Sequence, residues 1–214
     1  MKWLQNIIVF FGSILIYLHI YIHFKISIFN EFIHIEDLCK EKIMSTIYFK
    51  LPFVFDGTNI IKPIEKREKD RRKIYKNTYE KIPLLEPSVR FFTNDMIYEL
   101  KKGKDIDLHR NLECRNFYIV HSGKVIIYCI HPKYKHNLNL IDKKNKNIDF
   151  IEKNSEILRV ELYPNSILFV PNYWFVYVKA LEKSIVEKVQ YKTILNEVNF
   201  IHDKYLNNNI IYGK

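Results

Sequence analysis

The sequence predicts a mainly β domain preceded by an apolar N-terminal helix. Short runs of β-branched and aromatic residues, separated by turn signals, fill the chain beyond Pro83, and this spacing is typical of a β-sandwich or barrel. The segment Leu4–Phe24 contains no Asp, Glu, Lys or Arg, which indicates an apolar helix. Hydrophobic residues make up 48% of the 214 residues, which excludes an intrinsically disordered chain and allows one domain with a substantial core.

Residues 1–25 are predicted to form an uncleaved transmembrane signal-anchor. The charge-free stretch is close to the ~20 residues that a helix needs to cross a bilayer. It is longer than the apolar part of a cleavable signal peptide, and no small-x-small site follows it. A buried core helix is the alternative, but such a helix normally has a polar face. We therefore expect a single-pass membrane protein. The lack of N-x-S/T sequons favours the cytosolic side for the soluble domain, although the flanking charges leave the orientation open.

Residues 26–82 are predicted to be a helical and charged connecting region. Ile26–Met44 is expected to continue as helix, and the alternating stretch Ile47–Phe55 is expected to be a strand. The run Lys62–Lys81 is rich in mixed charge with a basic excess. Such a run indicates an exposed helix or a solvated linker.

The basic excess raises the question of a nucleic-acid partner. The formal net charge is +10, and a basic balance suits nucleic acid or an anionic membrane surface. No helix-turn-helix or zinc-finger spacing is visible, and codon bias towards Lys is the preferred explanation of the charge. A possible basic patch is formed by Arg67, Arg71, Arg72 and Lys73. A membrane is the expected partner, a protein partner is possible, and a nucleic-acid partner is not favoured.

The predicted β domain spans residues 83–200, and residues 201–214 form a C-terminal tail. A polar, Asn- and Lys-rich stretch, His136–Ser155, is expected to be a loop between strands, and Thr193–Tyr212 a closing helix. The predicted strands are Val89–Phe92, Asp95–Leu100, Phe117–Val120, Lys124–Ile130, Leu158–Leu162, Ser166–Val170, Trp174–Lys179 and Ser184–Tyr191.

The three cysteines do not form a disulfide framework. Cys39, Cys114 and Cys129 are too few and too scattered for one, and no C-x-x-C motif occurs. Cys114 and Cys129 are placed to pair across two strands, but buried free thiols are the preferred interpretation.

Two segments match the spacing of paired glycine- and histidine-containing motifs. The first motif has the pattern G-x5-H-x-H-x4-E-x6-G. In GKDIDLHRNLECRNFYIVHSG, its positions are occupied by Gly103, His109, Asn111, Asn116 and Gly123. Gly123 is expected to allow a tight turn between two strands.

The second motif has the pattern G-x5-P-x-G-x2-H-x3-N. In NSILFVPNYWFVYVKA, its positions are occupied by Asn165, Pro171, Tyr173, Val176 and Ala180. Pro171 suits a strand end, where no ladder donor is needed. Trp174 and Phe175 are expected to pack between the sheets.

These motifs resemble those of the cupin superfamily, and within it the JmjC-like branch of iron and 2-oxoglutarate hydroxylases. The resemblance covers about half of the chain. It implies a double-stranded β-helix, the cupin or jelly-roll fold. Together with the segments described above, the predicted fold is mainly β, with an N-terminal transmembrane helix and flanking helices. The fold motif would be carried by Gly103, Gly123, Pro171 and Trp174.

The resemblance also implies where a metal would bind. That family places an H-x-D pair on one strand and a distal His on a later strand, and a non-haem iron site needs two His and a carboxylate. Here the positions hold His109, Asn111 and Val176, so only one ligand of three remains. We call these three residues the vestigial positions. No catalytic residue, metal site or cofactor is predicted.

Two alternatives to an inactive site stay open. One is a relocated metal site that uses His109, Glu113 and His121. The other concerns 2-oxoglutarate, whose carboxylate would need a cationic side chain inside the barrel, for which Lys124 or Lys179 is available.

The sequence thus leaves three hypotheses. The first is a membrane-anchored, non-catalytic cupin-like module with a structural or binding role. The second is a divergent hydroxylase dependent on Fe(II) and 2-oxoglutarate. The third is a basic, membrane-tethered nucleic-acid binder. Abundant Ile, Lys, Asn and Tyr indicate an AT-rich coding genome, such as that of a large DNA virus or a protist parasite.

Overall fold

The structure, a computed structural model, describes residues 2–36, 39–58, 61, 85–87, 92–135, 138 and 156–193. Within these residues the fold is mainly β, as predicted. The helices are α1 (Lys2–Phe24) and α2 (Lys40–Phe49). The strands are β1 (Ile33–Ile35), β2 (Phe53–Asp56), β3 (Phe92–Leu100), β4 (Asp105–Arg110), β5 (Arg115–Ser122), β6 (Val125–Ile130), β7 (Ile157–Leu162), β8 (Ser166–Pro171), β9 (Phe175–Ala180) and β10 (Ser184–Lys192).

The strands form two sheets. The six-stranded sheet has the order β1-β2-β8-β5-β10-β3, and the four-stranded sheet has the order β4-β9-β6-β7. β1 and β2 are parallel, and the other strand pairs are antiparallel. Apart from the pairs β1–β2 and β6–β7, neighbouring strands are not consecutive in sequence, so the fold depends largely on long-range pairing.

The main hydrophobic core lies between the two sheets. Successive residues of a strand point to opposite faces, so alternate residues of each strand enter this core. Tyr118 and Val120 of β5 face Ile127 of β6 and Val176 of β9, and all four are fully buried. Trp174, at the start of β9, is fully buried in the same core, as predicted.

A second core covers the outer face of the six-stranded sheet. Phe117 of β5 and Phe169 of β8 point to this side, and their ring centroids lie 5.3 Å apart. Ile43 of α2 is fully buried against the same face. Phe175 belongs to a third cluster, on the outer face of the four-stranded sheet. The expectation that Phe175 packs between the sheets is therefore wrong, because strand alternation turns it away from Trp174.

The strand predictions within the described part of the chain are largely confirmed. β3 and β5–β10 coincide with predicted runs to within a few residues. The strand β4 was not among the predicted strands, since Asp105 and Asp107 place exposed acidic residues in it. Its pairing with β9, rather than its composition, makes it a strand.

The connecting region differs from the prediction. Part of the stretch predicted as helix forms β1, which pairs with β2 through Ile33 and Phe53. α2 runs through the start of the predicted strand and ends at Lys50, whose φ of 58° is left-handed. The short β1 sequence has no strand pattern of its own, and tertiary pairing with β2 decides its conformation.

The predicted glycine and proline positions have the expected backbone roles. Gly103 and Gly123 have φ values of 76° and 74°, a conformation that glycine adopts without steric cost. Gly123 lies in the turn between β5 and β6, as predicted. Pro171 is the last residue of β8, also as predicted.

The predicted transmembrane signal-anchor needs correction. The segment does form a helix of 23 residues, α1, and many of its large apolar side chains are exposed. Polar residues, among them Gln5, Asn6 and Ser13, interrupt its apolar run. Among the described residues, no helix combines the length and the apolar character that crossing a membrane requires. The prediction of a single-pass membrane localisation is therefore wrong.

Several predictions lie outside the described residues. They concern most of the loop predicted for residues 136–155 and almost all of the closing helix predicted for 193–212. The tail at 201–214 and the charged run at 62–81 also lie outside.

Candidate binding site between the two sheets

Four polar side chains meet in the core between the sheets. We call them the interior polar cluster: His109, Asn111, Tyr118 and Lys188. All are buried, and Asn111 and Tyr118 are fully so. A buried polar group is costly unless it is hydrogen-bonded, so the geometry of this cluster shows what the site can hold.

The four-stranded sheet supplies two members of the interior polar cluster. His109 of β4 lies directly opposite Val176 of β9. Asn111 follows β4, and its N–H donates to the carbonyl of Trp174 at 2.9 Å. The carbonyl of Asn111 accepts from the N–H of Tyr173 at 2.6 Å. These backbone bonds fix Asn111 beside the start of β9.

The six-stranded sheet supplies the other two members. Lys188 of β10 lies directly opposite Tyr118 of β5. The Lys188 ammonium sits over the Tyr118 ring, 5.5 Å from its centroid. Lys188 points into the core because residues two apart on a strand share a face, and Val186, two residues earlier, belongs to the main core.

The hydrogen bonds of the cluster allow one consistent assignment of protons. Nδ1 of His109 lies 2.9 Å from the Asp107 carbonyl, which can only accept, so Nδ1 carries the proton. Nε2 then has a single lone pair, and it accepts from the Lys188 ammonium at 2.9 Å. The Tyr118 hydroxyl consequently donates to Oδ1 of Asn111 at 3.1 Å, although its oxygen is also 2.9 Å from Nε2.

This environment keeps the imidazole of His109 neutral. Burial, which is the larger cause, and the neighbouring charge of Lys188 lower the pKa of His109 from 6.5 to about 3. The hydrogen bond to the Asp107 carbonyl acts in the opposite direction. Only a neutral imidazole has a ring lone pair that can accept a hydrogen bond from the ammonium.

Lys188 keeps its charge near neutral pH in spite of its burial. Burial lowers its pKa from 10.5 to about 8, and the carboxylate of Glu113 partly offsets this effect. Burial also raises the pKa of Tyr118 well above its ordinary value, so the phenol stays protonated. The interior polar cluster therefore carries one positive charge at pH 7.

Two buried donors in this region have no hydrogen-bond partner among the described residues. They are Nδ2 of Asn111 and Nε1 of Trp174, and both side chains are fully buried. Most buried donors in folded proteins are paired. These two donors are exceptions to that rule.

A pair of amides extends the polar region along the same strands. Nε2 of Gln190 donates to Oδ1 of Asn116 at 3.2 Å. Nδ2 of Asn116 donates to the carbonyls of Glu113 and Val170 at 3.1 and 3.3 Å. Oε1 of Gln190 accepts from Nδ2 of Asn94 at 3.3 Å, so both amides are hydrogen-bonded.

The three vestigial positions come together as the motif spacing implies. His109 and Val176 are cross-strand neighbours, and Asn111 is bonded to the residues that precede β9. The relocated metal site does not form. Glu113 lies in a loop rather than on a strand, and His121 points to the outer face of its sheet, where it pairs with Glu187 at 2.7 Å. Within the described residues, no three His, Cys, Asp or Glu side chains are placed to hold one metal ion.

The cationic side chain inside the core is Lys188, which the sequence analysis missed. Of the two lysines considered there, Lys124 pairs at the surface with Glu161 at 2.8 Å, and Lys179 is partly exposed. The sequence did contain a signal, since Val186-x-Lys188-x-Gln190 alternates in phase with the core. The possible basic patch, Arg67, Arg71, Arg72 and Lys73, lies outside the described residues.

The two buried cysteines are free thiols, as preferred from the sequence. Cys114 and Cys129 are both buried, and Cys39 is exposed. Burial raises the pKa of Cys129 to about 12 and that of Cys114 to about 11. Neither thiol is therefore activated as a nucleophile.

Comparison with known proteins does not identify a family for this chain. No protein-family model matches the chain, and no curated protein sequence matches it either. The fold and the site define a two-sheet β domain with a hydrogen-bonded, positively charged interior.

Proposed function

We propose that this chain is a metal-free, non-catalytic binding module of the cupin-like, jelly-roll class. The proposal rests on the strand order, on the meeting of the vestigial positions, and on what occupies the space beside His109.

The strand order supports the jelly-roll assignment. Counted from β3 as the first strand, the two sheets have the orders 6-3-8-1 and 2-7-4-5, with β1 and β2 added at one edge. An eight-stranded jelly roll made of two Greek keys, the architecture that cupins share, is expected to have this order, and the agreement supports the proposal.

The donor set does not fit a non-haem iron centre. Such a centre needs two imidazoles and a carboxylate on one face. Val176 offers only a hydrocarbon, and Oδ1 of Asn111 is engaged by the Tyr118 hydroxyl. With a hydrocarbon at one ligand position and an uncharged amide at another, His109 is the one metal ligand that remains. No reaction step therefore involves iron or 2-oxoglutarate.

The ammonium of Lys188 is the observation that carries the proposal. It donates to Nε2 of His109, the one lone pair that a metal ion at this site would need. Its positive charge also repels a second cation nearby. Lys188 is thus an internal cation, bonded to the imidazole in place of a metal, and it holds the interior in a metal-free state.

Metal analysis of the full chain tests this proposal. The purified protein is incubated anaerobically with Fe(II) or Mn(II), desalted, and analysed for bound metal. We expect far less than one ion per chain, and no change in melting temperature on adding metal with 2-oxoglutarate. Stoichiometric metal that disappears in a His109→Gln variant would show a working site and overturn the proposal.

A designed variant supplies the positive control. The triple change Asn111→Asp, Val176→His and Lys188→Met restores a carboxylate and a second imidazole and removes the internal cation. If the vestigial positions have the cupin-like geometry, this variant gains metal binding that the natural chain lacks. A folded triple variant that binds no metal would contradict the assignment of these positions.

A further inference from the structure

A short segment between α1 and β1 is hydrogen-bonded to the residue that follows β6. We call residues 26–30 the strap. Ser27 of the strap is buried, and its hydroxyl oxygen accepts from the N–H of Phe29 at 3.1 Å, which closes a tight turn. β1 comes soon after the strap and pairs with β2. The strap therefore joins the exposed helix α1 to the edge of the six-stranded sheet.

His131 connects the strap to the main core. It directly follows β6, and its Nε2 lies 2.9 Å from the carbonyl oxygen of Ser27. Its ring packs edge-on against the ring of Trp174, with the two centroids 4.9 Å apart. His131, Ser27 and Trp174 are all buried, and Trp174 belongs to the main core. One imidazole thus contacts both the strap and the core.

Two hydrogen bonds fix the position of the proton on His131. The carbonyl of Ser27 can only accept, so Nε2 carries the proton. Nδ1 accepts from the backbone N–H of Lys133 at 3.0 Å, and in this way His131 caps the single helical turn Pro132–Tyr134. Both bonds together require the neutral imidazole, because a protonated ring has no lone pair to offer Lys133.

A second proton on His131 would disrupt this arrangement. It would place a ring N–H against the backbone N–H of Lys133, so that two donors would face each other. The ring must turn to relieve this contact, and Nε2 then leaves the carbonyl of Ser27, because both nitrogens belong to one rigid ring. Burial, the largest effect, and the charge of Lys133 lower the pKa of His131, although the bond to Ser27 acts in the opposite direction.

Two charged side chains lie beside His131, and both keep their charge between pH 7 and pH 5. Glu156 accepts from Asn30 of the strap at 3.1 Å and pairs with the Lys133 ammonium at 3.2 Å. The pKa of Glu156 is lowered from 4.5, mainly by a hydrogen bond with Tyr134. The pKa of Lys133 is raised from 10.5, again mainly by a hydrogen bond with Tyr134. Of these groups, His131 is therefore the one whose charge can change in this range.

We propose that acid releases the strap: neutral His131 holds residues 26–30 against the end of the main core, and protonation of His131 frees them. The closed strap binds fewer protons than the open strap below about pH 6.5, the ordinary pKa of histidine. Its stability is therefore fully present above that pH and is lost as the pH falls. Because the strap joins α1 to β1, its release lengthens the free link between the exposed helix and the β domain.

Hydrogen exchange of the full chain, followed residue by residue by NMR, measures the strap directly. The amide of Phe29 reports the strap, and the amide of Lys133 reports the cap, since each donates to a side chain of this contact. Between pH 7 and pH 5 the protection factors of both amides should fall. One proton is taken up on opening, so the fall should reach up to about tenfold per pH unit.

Two variants of His131 separate its two hydrogen bonds. His131→Gln places an amide N–H where Nε2 lies, so it keeps the bond to Ser27 and does not titrate. The protection factor of Phe29 should then change little with pH. His131→Asn places an oxygen where Nδ1 lies, so it still caps the turn but is too short to reach Ser27. In this variant Phe29 should be poorly protected at every pH, whereas Lys133 should stay protected at pH 7.

Two outcomes would overturn the inference. One is the same pH dependence of Phe29 protection in the wild type and in His131→Gln, because the other histidines titrate in both proteins and His131 would have no part in the change. The other is a strap in His131→Asn that is as well protected at pH 7 as in the wild type, which would show that the bond to Ser27 does not hold it. Neither outcome bears on the proposed function, which metal binding tests separately.

Discussion

Acid should destabilise this protein through His109 in particular. In the folded chain the pKa of His109 is lowered from 6.5 to about 3, so the folded state binds fewer protons than the unfolded state between these two values. Stability is therefore fully present above about pH 6.5 and is lost as the pH falls through the range below it. At 1.36 kcal/mol per pKa unit, linkage gives a loss of roughly 2 kcal/mol at pH 5 and roughly 4 kcal/mol at pH 3.

The assay is urea denaturation of the full chain at a series of pH values between 7 and 4, compared with a His109→Gln variant. Glutamine presents an acceptor to Lys188 but does not titrate. Carboxylates elsewhere contribute equally to both proteins, so the difference between the two profiles isolates His109. We expect the free energy of unfolding to fall about 2 kcal/mol further in the wild type between pH 7 and pH 5.

A second variant separates the two causes of the lowered pKa. Lys188→Met removes the neighbouring charge, and the Tyr118 hydroxyl, already 2.9 Å from Nε2, can then donate to His109. The pKa of His109 should rise, and the acid loss should become smaller than in the wild type. Parallel pH profiles for the wild type and His109→Gln would refute the account of His109 as a buried neutral imidazole.

Three further predictions follow from the same structure. Gly103→Ala should cost about 1 kcal/mol, the usual penalty for a left-handed residue. Gly123→Ala should cost at least about 2 kcal/mol more, because its new Cβ would also clash with the backbone carbonyl of Lys183. Urea denaturation measures both losses of stability. Only Cys39 should react with a thiol reagent in the native protein, since the other two cysteines are buried, and labelling of a second thiol would contradict their burial. The pKa of Lys188 is lowered from 10.5 to about 8, so the folded state binds fewer protons than the unfolded state between these pH values. The free energy of unfolding should therefore rise with pH in this range by up to roughly 3 kcal/mol in the wild type. The Lys188→Met variant should not show this rise.

Local sequence patterns were sufficient to predict most of the sheet. β6 and β8 have nearly continuous buried side chains, and apolar runs of this length bounded by turn signals indicate strands. Gly123 marked a turn that its left-handed φ explains. By contrast, β1 is a three-residue strand that exists through pairing with β2, and no local pattern encodes such a contact.

Only part of the candidate site could be predicted from the sequence. Motif spacing brought His109, Asn111 and Val176 together, because β4 and β9 are neighbours in the sheet. Lys188 was missed because it lies about 80 residues further along the chain than His109, and only the packing of one sheet on the other joins them. The membrane prediction rested on the absence of charged residues from the N-terminal segment, and it failed because no described helix combines the length and the apolar character that a membrane span requires.

A crystal structure of the full chain grown at pH 7 with excess Mn(II) tests the central claim most directly. The account predicts no anomalous peak beside His109 and an ammonium of Lys188 within hydrogen-bonding distance of Nε2. A manganese peak bound to that nitrogen, with Lys188 turned away, would contradict it.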